Sequence, residues 1–74
     1  MMSTNEIAAA IGAEPRLVRR WLMTAAAKNE LSVTLLPGHG RLKFADPTAV
    51  AVWLDKHGFR DAAQKLRAAV STRN

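Results

Sequence analysis

Apolar residues at helical spacing, bounded by turn signals, predict two short helices in the first 27 residues. Ser3 followed three residues later by Glu6 has the form of a capping box, and Gly12 is suited to ending a helix in the left-handed conformation. The first helix is therefore expected over about residues 4–11. After a short connection, a proline stands at the first position of a second helix, expected over about residues 15–27.

The second predicted helix has two chemically different faces. At roughly 100° per residue, the apolar face consists of Leu17, Val18, Trp21, Leu22 and Ala25. The opposite face carries Arg16, Arg19, Arg20 and Met23. We expect the apolar face to pack in the core and the three guanidinium groups to project outward together.

Between residues 32 and 44 the pattern becomes one that is typical of strands. Residues 32–36 are enriched in β-branched side chains, and residues 41–44 alternate between polar and apolar. The Pro-Gly-His-Gly sequence between them is dense in turn-forming residues. The two segments are therefore predicted to form a β-hairpin. Its inward side chains are Leu42 and Phe44, and its outward ones are Arg41 and Lys43.

Two further helices are predicted in the C-terminal part of the chain. An Asp-Pro pair at 46–47 is a strong start signal for a third helix, which ends before Gly58. Asp61 can cap a fourth helix over about 62–70, whose alanine-rich sequence has little to bury. This helix is expected to dock on the domain, to fray or to form an oligomer contact, and residues 71–74 are expected to be a disordered tail.

Two short helices joined by a tight turn form a helix-turn-helix pattern, and a hairpin that follows such a pattern is called a wing. The predicted fold class is mainly α with a small β-hairpin. The chain is predicted to comprise a winged helix-turn-helix domain over residues 3–59 and an additional helix at 60–70. The side chains expected in the core are Ile7, Ile11, Leu17, Trp21, Leu22, Leu42, Phe44, Val50, Trp53 and Leu54.

Composition narrows the function classes. The chain has 74 residues and no cysteine, which suits one small domain and excludes disulfides, thiolate zinc sites and a cysteine nucleophile. The sequence contains no plausible Ser/His/Asp set, metal-ligand cluster or phosphate-binding glycine loop. Apolar runs are much shorter than the roughly twenty residues of a membrane span, and no signal-peptide pattern is present. We therefore expect a cytoplasmic protein that is not an enzyme and takes no cofactor.

The net charge of +5 is concentrated in one segment. Between residues 15 and 44 the chain has six basic residues, opposed only by Glu30, so this segment carries the whole net charge. Such clustering favours a polyanionic partner, and the second helix of a helix-turn-helix enters the DNA major groove. The expected major-groove residues are Arg16, Arg19, Arg20 and Met23; the expected wing residues are His39, Arg41 and Lys43; the expected DNA-backbone contacts are Lys28 and Thr4.

Residues 4–12 and 16–21, followed by residues 40–50, resemble the winged helix-turn-helix of the MerR-like and excisionase-like group. That group includes phage excisionases (recombination directionality factors), small plasmid and phage regulators, and the DNA-binding domain of some phage small terminase subunits. The resemblance covers roughly residues 3–58 and implies arginines of the second helix in the major groove, with the wing in the adjacent minor groove. The link at 24–30 is longer than usual. With no dimerisation coiled coil or effector domain, the resemblance does not extend to ligand-sensing regulators.

The sequence thus predicts a small sequence-specific protein that binds double-stranded DNA in a bacterial or phage context, as an excisionase, a transcriptional regulator of a mobile element, or both. Self-association along DNA or through residues 61–70, and contact with an integrase or recombinase, fit this role. We expect this protein to bind neither a membrane nor a small-molecule ligand. Two alternatives stay open: a phage small-terminase-type DNA-binding module, and a basic helical adaptor whose last helix pairs with another protein.

Overall fold

The computed structural model of the chain describes residues 1–35 and 43–73. In chain order, the elements in these ranges are β1 (Met2–Ser3), α1 (Thr4–Ile11), α2 (Pro15–Ala27), β2 (Val33–Leu35), β3 (Lys43–Ala45), α3 (Pro47–Lys56) and α4 (Arg60–Arg73). The prediction of a mainly helical fold is confirmed. None of these helices combines the length and the apolar character that crossing a membrane requires.

Local capping interactions define α1 as the sequence predicts. Ser3 Oγ accepts a hydrogen bond from the backbone N–H of Glu6 at 3.2 Å, and Glu6 Oε1 accepts one from the backbone N–H of Ser3 at 3.0 Å. Gly12 ends the helix with a φ of 70°, in the left-handed region. α2 then begins with Pro15 in its first turn and ends at Ala27, so the predicted bounds of both helices are confirmed.

The strands form a three-stranded antiparallel sheet in the order β1-β3-β2. In the central strand, Phe44 pairs with Ser3 on one side and with Thr34 on the other. The predicted pairing of β2 with β3 is confirmed, although β3 extends one residue further and includes the fully buried Ala45. The sequence does not reveal β1, because a strand of two residues has no alternation to detect.

α3 and α4 are joined by a tight reversal. Asp46 caps α3 by accepting a hydrogen bond from the backbone N–H of Thr48 at 3.1 Å, which confirms the predicted start. Gly58 has a φ of 84°, and the backbone N–H of Phe59 donates to the carbonyl oxygen of Leu54 at 2.8 Å. This bond satisfies a carbonyl at the end of α3 and turns the chain so that α4 packs back onto α3.

α4 differs most from its prediction. The helix spans Arg60–Arg73, so residues 71–73 are helical and not a disordered tail. Ala63 and Leu66 are fully buried where α4 packs on α3 and α1. The prediction that this helix has little to bury is wrong, because its alanines allow close approach and one leucine then reaches the core. α4 is a docked part of the domain.

Most of the predicted core is confirmed, with one clear correction. The confirmed buried residues are Ile7, Ile11, Leu22, Val50, Trp53 and Leu54, and Trp21 is half-buried. Leu17 is 39% exposed, so its assignment to the core is wrong. Leu42 and the side chain of Phe44 lie outside what the structure describes. The core also includes Met2, Ala8, Val18, Ala25, Ala45, Ala51, Ala63 and Leu66.

Candidate nucleic-acid interface

The outward side of α2 is the candidate site. The inner side of the helix anchors it through Val18, Leu22 and Ala25, all of which are buried. The exposed residues on the opposite side include five that are called here the outer face of α2: Arg16, Leu17, Arg20, Met23 and Thr24. Since the spacings i+3, i+4 and i+7 recur among them, these residues line one side of the helix over its first three turns.

Aromatic side chains support the inner side of α2. The rings of Trp21 and Phe59 have centroids 4.9 Å apart, and those of Trp21 and Trp53 are 6.3 Å apart. These contacts connect α2 with α3 and with the turn that precedes α4. Aromatic pairs at such distances add to the stability that burial provides. The orientation of the outer face is therefore fixed by the core.

On a helical wheel, the centre of the buried side of α2 lies roughly 35° away from the centre of the predicted apolar face. One consequence is that Leu17 lies outside the core. The other is that Arg19 is half-buried at the edge of the core, with its Nε atom buried and without a hydrogen-bond partner in the ranges 1–35 and 43–73. Arg16 and Arg20 are therefore exposed as predicted, whereas Arg19 is only partly exposed and lies beside Arg16 in a surface depression.

Arg16 and Arg20 have no ion-pair or hydrogen-bond partner in residues 1–35 and 43–73. Glu30, the one acidic residue of the basic segment, is engaged elsewhere: its Oε1 accepts a hydrogen bond from Trp53 Nε1 at 3.0 Å and lies 3.8 Å from His57 Nε2. Glu30 therefore does not neutralise the arginines of the outer face.

Glu14 is the acidic residue nearest to this charge along the chain. It occupies the N-cap of α2 without making a side-chain cap, and it is exposed. Two shallow depressions at this end of the helix are lined by Glu14 together with Arg16, one of them completed by Arg19 and the other by Leu17 and Arg20. The carboxylate forms no ion pair with these arginines within the described part of the chain.

The remaining predicted contacts differ in outcome. Lys28 is exposed at the C-cap of α2, adjacent to the outer face. Thr4 is only 3% exposed, because the first turn of α1 packs against β1 and β3, so its predicted contact with the DNA backbone is wrong. Of the wing residues, His39 and Arg41 lie outside the described residues, and the side chain of Lys43 is not described.

Leu17 is the residue of the candidate site that sequence reasoning missed. The helical wheel places it at the border between the two faces, and only the position of the core decides on which side it falls.

Over residues 1–35 and 43–73, no three His, Asp or Glu side chains come together in a way that could hold a metal ion. No protein family model, curated protein or solved structure matches the chain. Inference about function therefore starts from the geometry and charge of α2.

Proposed function

We propose that this protein binds double-stranded DNA sequence-specifically, without catalysis, with α2 as the recognition helix of a winged helix-turn-helix. The observation that carries the proposal is the pair Arg16 and Arg20, which are exposed and have no partner among the described residues, on a helix whose other side is anchored in the core. A rigid helix with free guanidinium groups on its outer face is the element that the major groove accepts.

The chemistry of arginine fits this role. Its planar guanidinium can bond the O6 and N7 atoms of guanine together, or hold a phosphate oxygen. The thirteen residues of α2 are roughly 20 Å long, and Arg16 and Arg20 lie in the N-terminal half, which is the part nearest to the base edges in helix-turn-helix proteins. Lys28 is exposed beyond the other end of the helix, and we assign it a contact with the DNA backbone.

The biological process is proposed from the resemblance of the sequence to the excisionase-like group. An excisionase-type architectural factor and a transcriptional regulator of a mobile element both need a small basic domain that recognises DNA. The burial of Ala63 and Leu66 speaks against the adaptor alternative, because the apolar side of α4 is occupied within the domain.

The test is selection of bound duplexes from a random pool near 0.2 M salt with excess non-specific competitor. We expect one recovered site, and a slope of log affinity against log salt of roughly −4 to −5, corresponding to about four to six phosphate contacts. Tandem copies of the site support an excisionase, whereas inverted copies support a repressor. If no consensus is recovered and competitor removes all binding, the proposal is wrong.

The proposed wing, residues 37–43, rests on the sequence alone. A glycine-flanked tip followed by Arg41 suits a narrow minor groove, where negative potential is concentrated, and His39 and Lys43 would contact the same groove or its phosphates. Arg41→Ala is expected to weaken binding while the selected major-groove sequence stays the same. An unchanged affinity would exclude the wing contact.

A further inference from the structure

The outer face of α2 combines charge with exposed apolar side chains. Leu17 is 39% exposed and Met23 is 49% exposed, and both belong to the same helix face as Arg16 and Arg20. A single exposed apolar residue on a protein surface is ordinary. Here two of them stand on either side of two guanidinium groups that have no partner in the described part of the chain, and the four side chains have to be explained together.

Leu17 does not belong to the hydrophobic core that the described residues form. Val18 and Leu22 anchor the same stretch of α2 with about 1% exposure each, so the helix is held without Leu17. Its side chain instead lines a depression at the N-terminal end of the helix with Arg16, Arg20 and the acidic Glu14. An apolar side chain is thus presented beside two cationic ones, at the place where a recognition helix meets the bases.

The apolar surface is divided by charge, which argues against a protein as its partner. On the helical wheel, Arg16 and Arg20 lie between Met23 and Leu17. A hydrophobic protein partner would have to bury these guanidinium groups without compensation, at a large cost. DNA matches both components, because the major groove offers acceptor atoms on guanine and an apolar methyl group at C5 of thymine.

We propose that Leu17 recognises the 5-methyl group of a thymine, with Met23 as a second methyl contact further along the helix, so that the protein selects sites in which thymine adjoins guanine. The inference rests on the proposed DNA-binding function. Side chains at i and i+3, such as Leu17 and Arg20, are roughly 5–6 Å apart at Cβ. That distance corresponds to one or two base-pair steps of about 3.4 Å.

The experiment replaces each thymine of the selected duplex, one at a time, by deoxyuridine, which lacks only the methyl group. Wild-type protein should lose about fourfold in affinity at one or two positions, the loss expected for one buried methyl group. Because this measurement uses the unaltered protein, it does not depend on the folding of any variant.

Variants then assign the methyl contact to a side chain. Leu17→Ala should bind the thymine and deoxyuridine duplexes equally at one of the sensitive positions, and Met23→Ala should do so at another. Val52→Ala is the matched control, because Val52 is 45% exposed but lies on α3, outside the outer face of α2. It should keep the full wild-type sensitivity to deoxyuridine.

The outcomes separate this inference from the proposed function. Competitor-resistant binding to a selected site that tolerates every deoxyuridine substitution overturns methyl recognition and leaves DNA binding intact. Sensitivity that persists in both Leu17→Ala and Met23→Ala overturns the assignment to these side chains. Failure to select any site overturns the proposed function and the inference together.

Discussion

The α1–α2 pair and the α3–α4 pair are built alike but present their charge differently. In each pair, two helices are joined by a tight reversal at a left-handed glycine, Gly12 with φ 70° and Gly58 with φ 84°. Arg67 of α4 forms an ion pair with Asp55 of α3, with Nη2 and Oδ2 2.6 Å apart. On α2, Arg16 and Arg20 have no such partner among the described residues.

This difference shows that a count of arginines in a helix does not identify a binding surface. α4 is as rich in basic residues as α2, yet its cross-helix ion pair and its buried Leu66 bind it to its own domain. The buried residues of α2, Val18, Leu22 and Ala25, all lie on its inner side. Because α2 presents Arg16 and Arg20 together with no partner among the described residues, we assign α2 to the external ligand, and five substitutions test that assignment.

The largest effect is expected from removing the anchor of α4. Leu66→Ala should lower the free energy of unfolding by about 2–5 kcal/mol, because Leu66 is completely buried and truncation leaves a cavity. Urea denaturation measures the loss, with the exposed Val52→Ala as a control that should stay within about 0.5 kcal/mol of wild type. If Leu66→Ala lowered the free energy of unfolding as little as Val52→Ala does, α4 would not dock on α3 and α1.

The next effect concerns DNA affinity and not stability. Arg20→Ala should weaken binding to the selected site by about 1–3 kcal/mol and relax its base preference, while the urea midpoint stays unchanged. Arg67→Ala removes the same charge from the paired helix and serves as the matched control in the same titration. Equal losses of affinity in the two variants would show that net charge, and not the outer face of α2, drives binding.

The two glycine reversals should respond alike in stability and differently in binding. Gly12→Ala and Gly58→Ala should each cost about 1–2 kcal/mol of unfolding free energy, because alanine is disfavoured at positive φ. Apart from the adjacent residues of the chain, no heavy atom of the described residues lies within 4 Å of an added Cβ at either position, so the cost is conformational. Gly12→Ala should also weaken DNA binding at a temperature where both variants are folded, since this turn orients α2 relative to α1. If only Gly58→Ala affected binding, the assignment of the site would be reversed.

The smallest effect is expected at the ion pair itself. Arg67→Ala should change the unfolding free energy by no more than about 1 kcal/mol, because both side chains are partly exposed and the pair is screened. Thermal unfolding at low and high salt measures it, and the difference from wild type should shrink as salt increases. A loss that exceeds that of Leu66→Ala would contradict the view that burial holds α4 in place.

Local features of the fold could be predicted from the sequence because their causes lie within a few residues. The capping box at Ser3 and Glu6, the left-handed Gly12 and the Asp46 cap each depend on contacts between near neighbours along the chain. The bounds of α1 and α2 follow from such signals. The location of the candidate site on α2 could also be predicted, because a stripe of arginines on an amphipathic helix is visible in the residue spacing.

Features that depend on distant neighbours could not be predicted in this way. β1 exists because β3 lies beside it, and α4 is docked because α1 and α3 leave a place for Leu66. The rotation of α2, which exposes Leu17 and half-buries Arg19, depends on where Val18 and Leu22 meet the rest of the core. The sequence by itself determined which segments are helical and that α2 has an apolar and a basic side. Only the tertiary structure decided which border residues face outward, because the free energy of burial depends on all the surfaces that meet at a side chain.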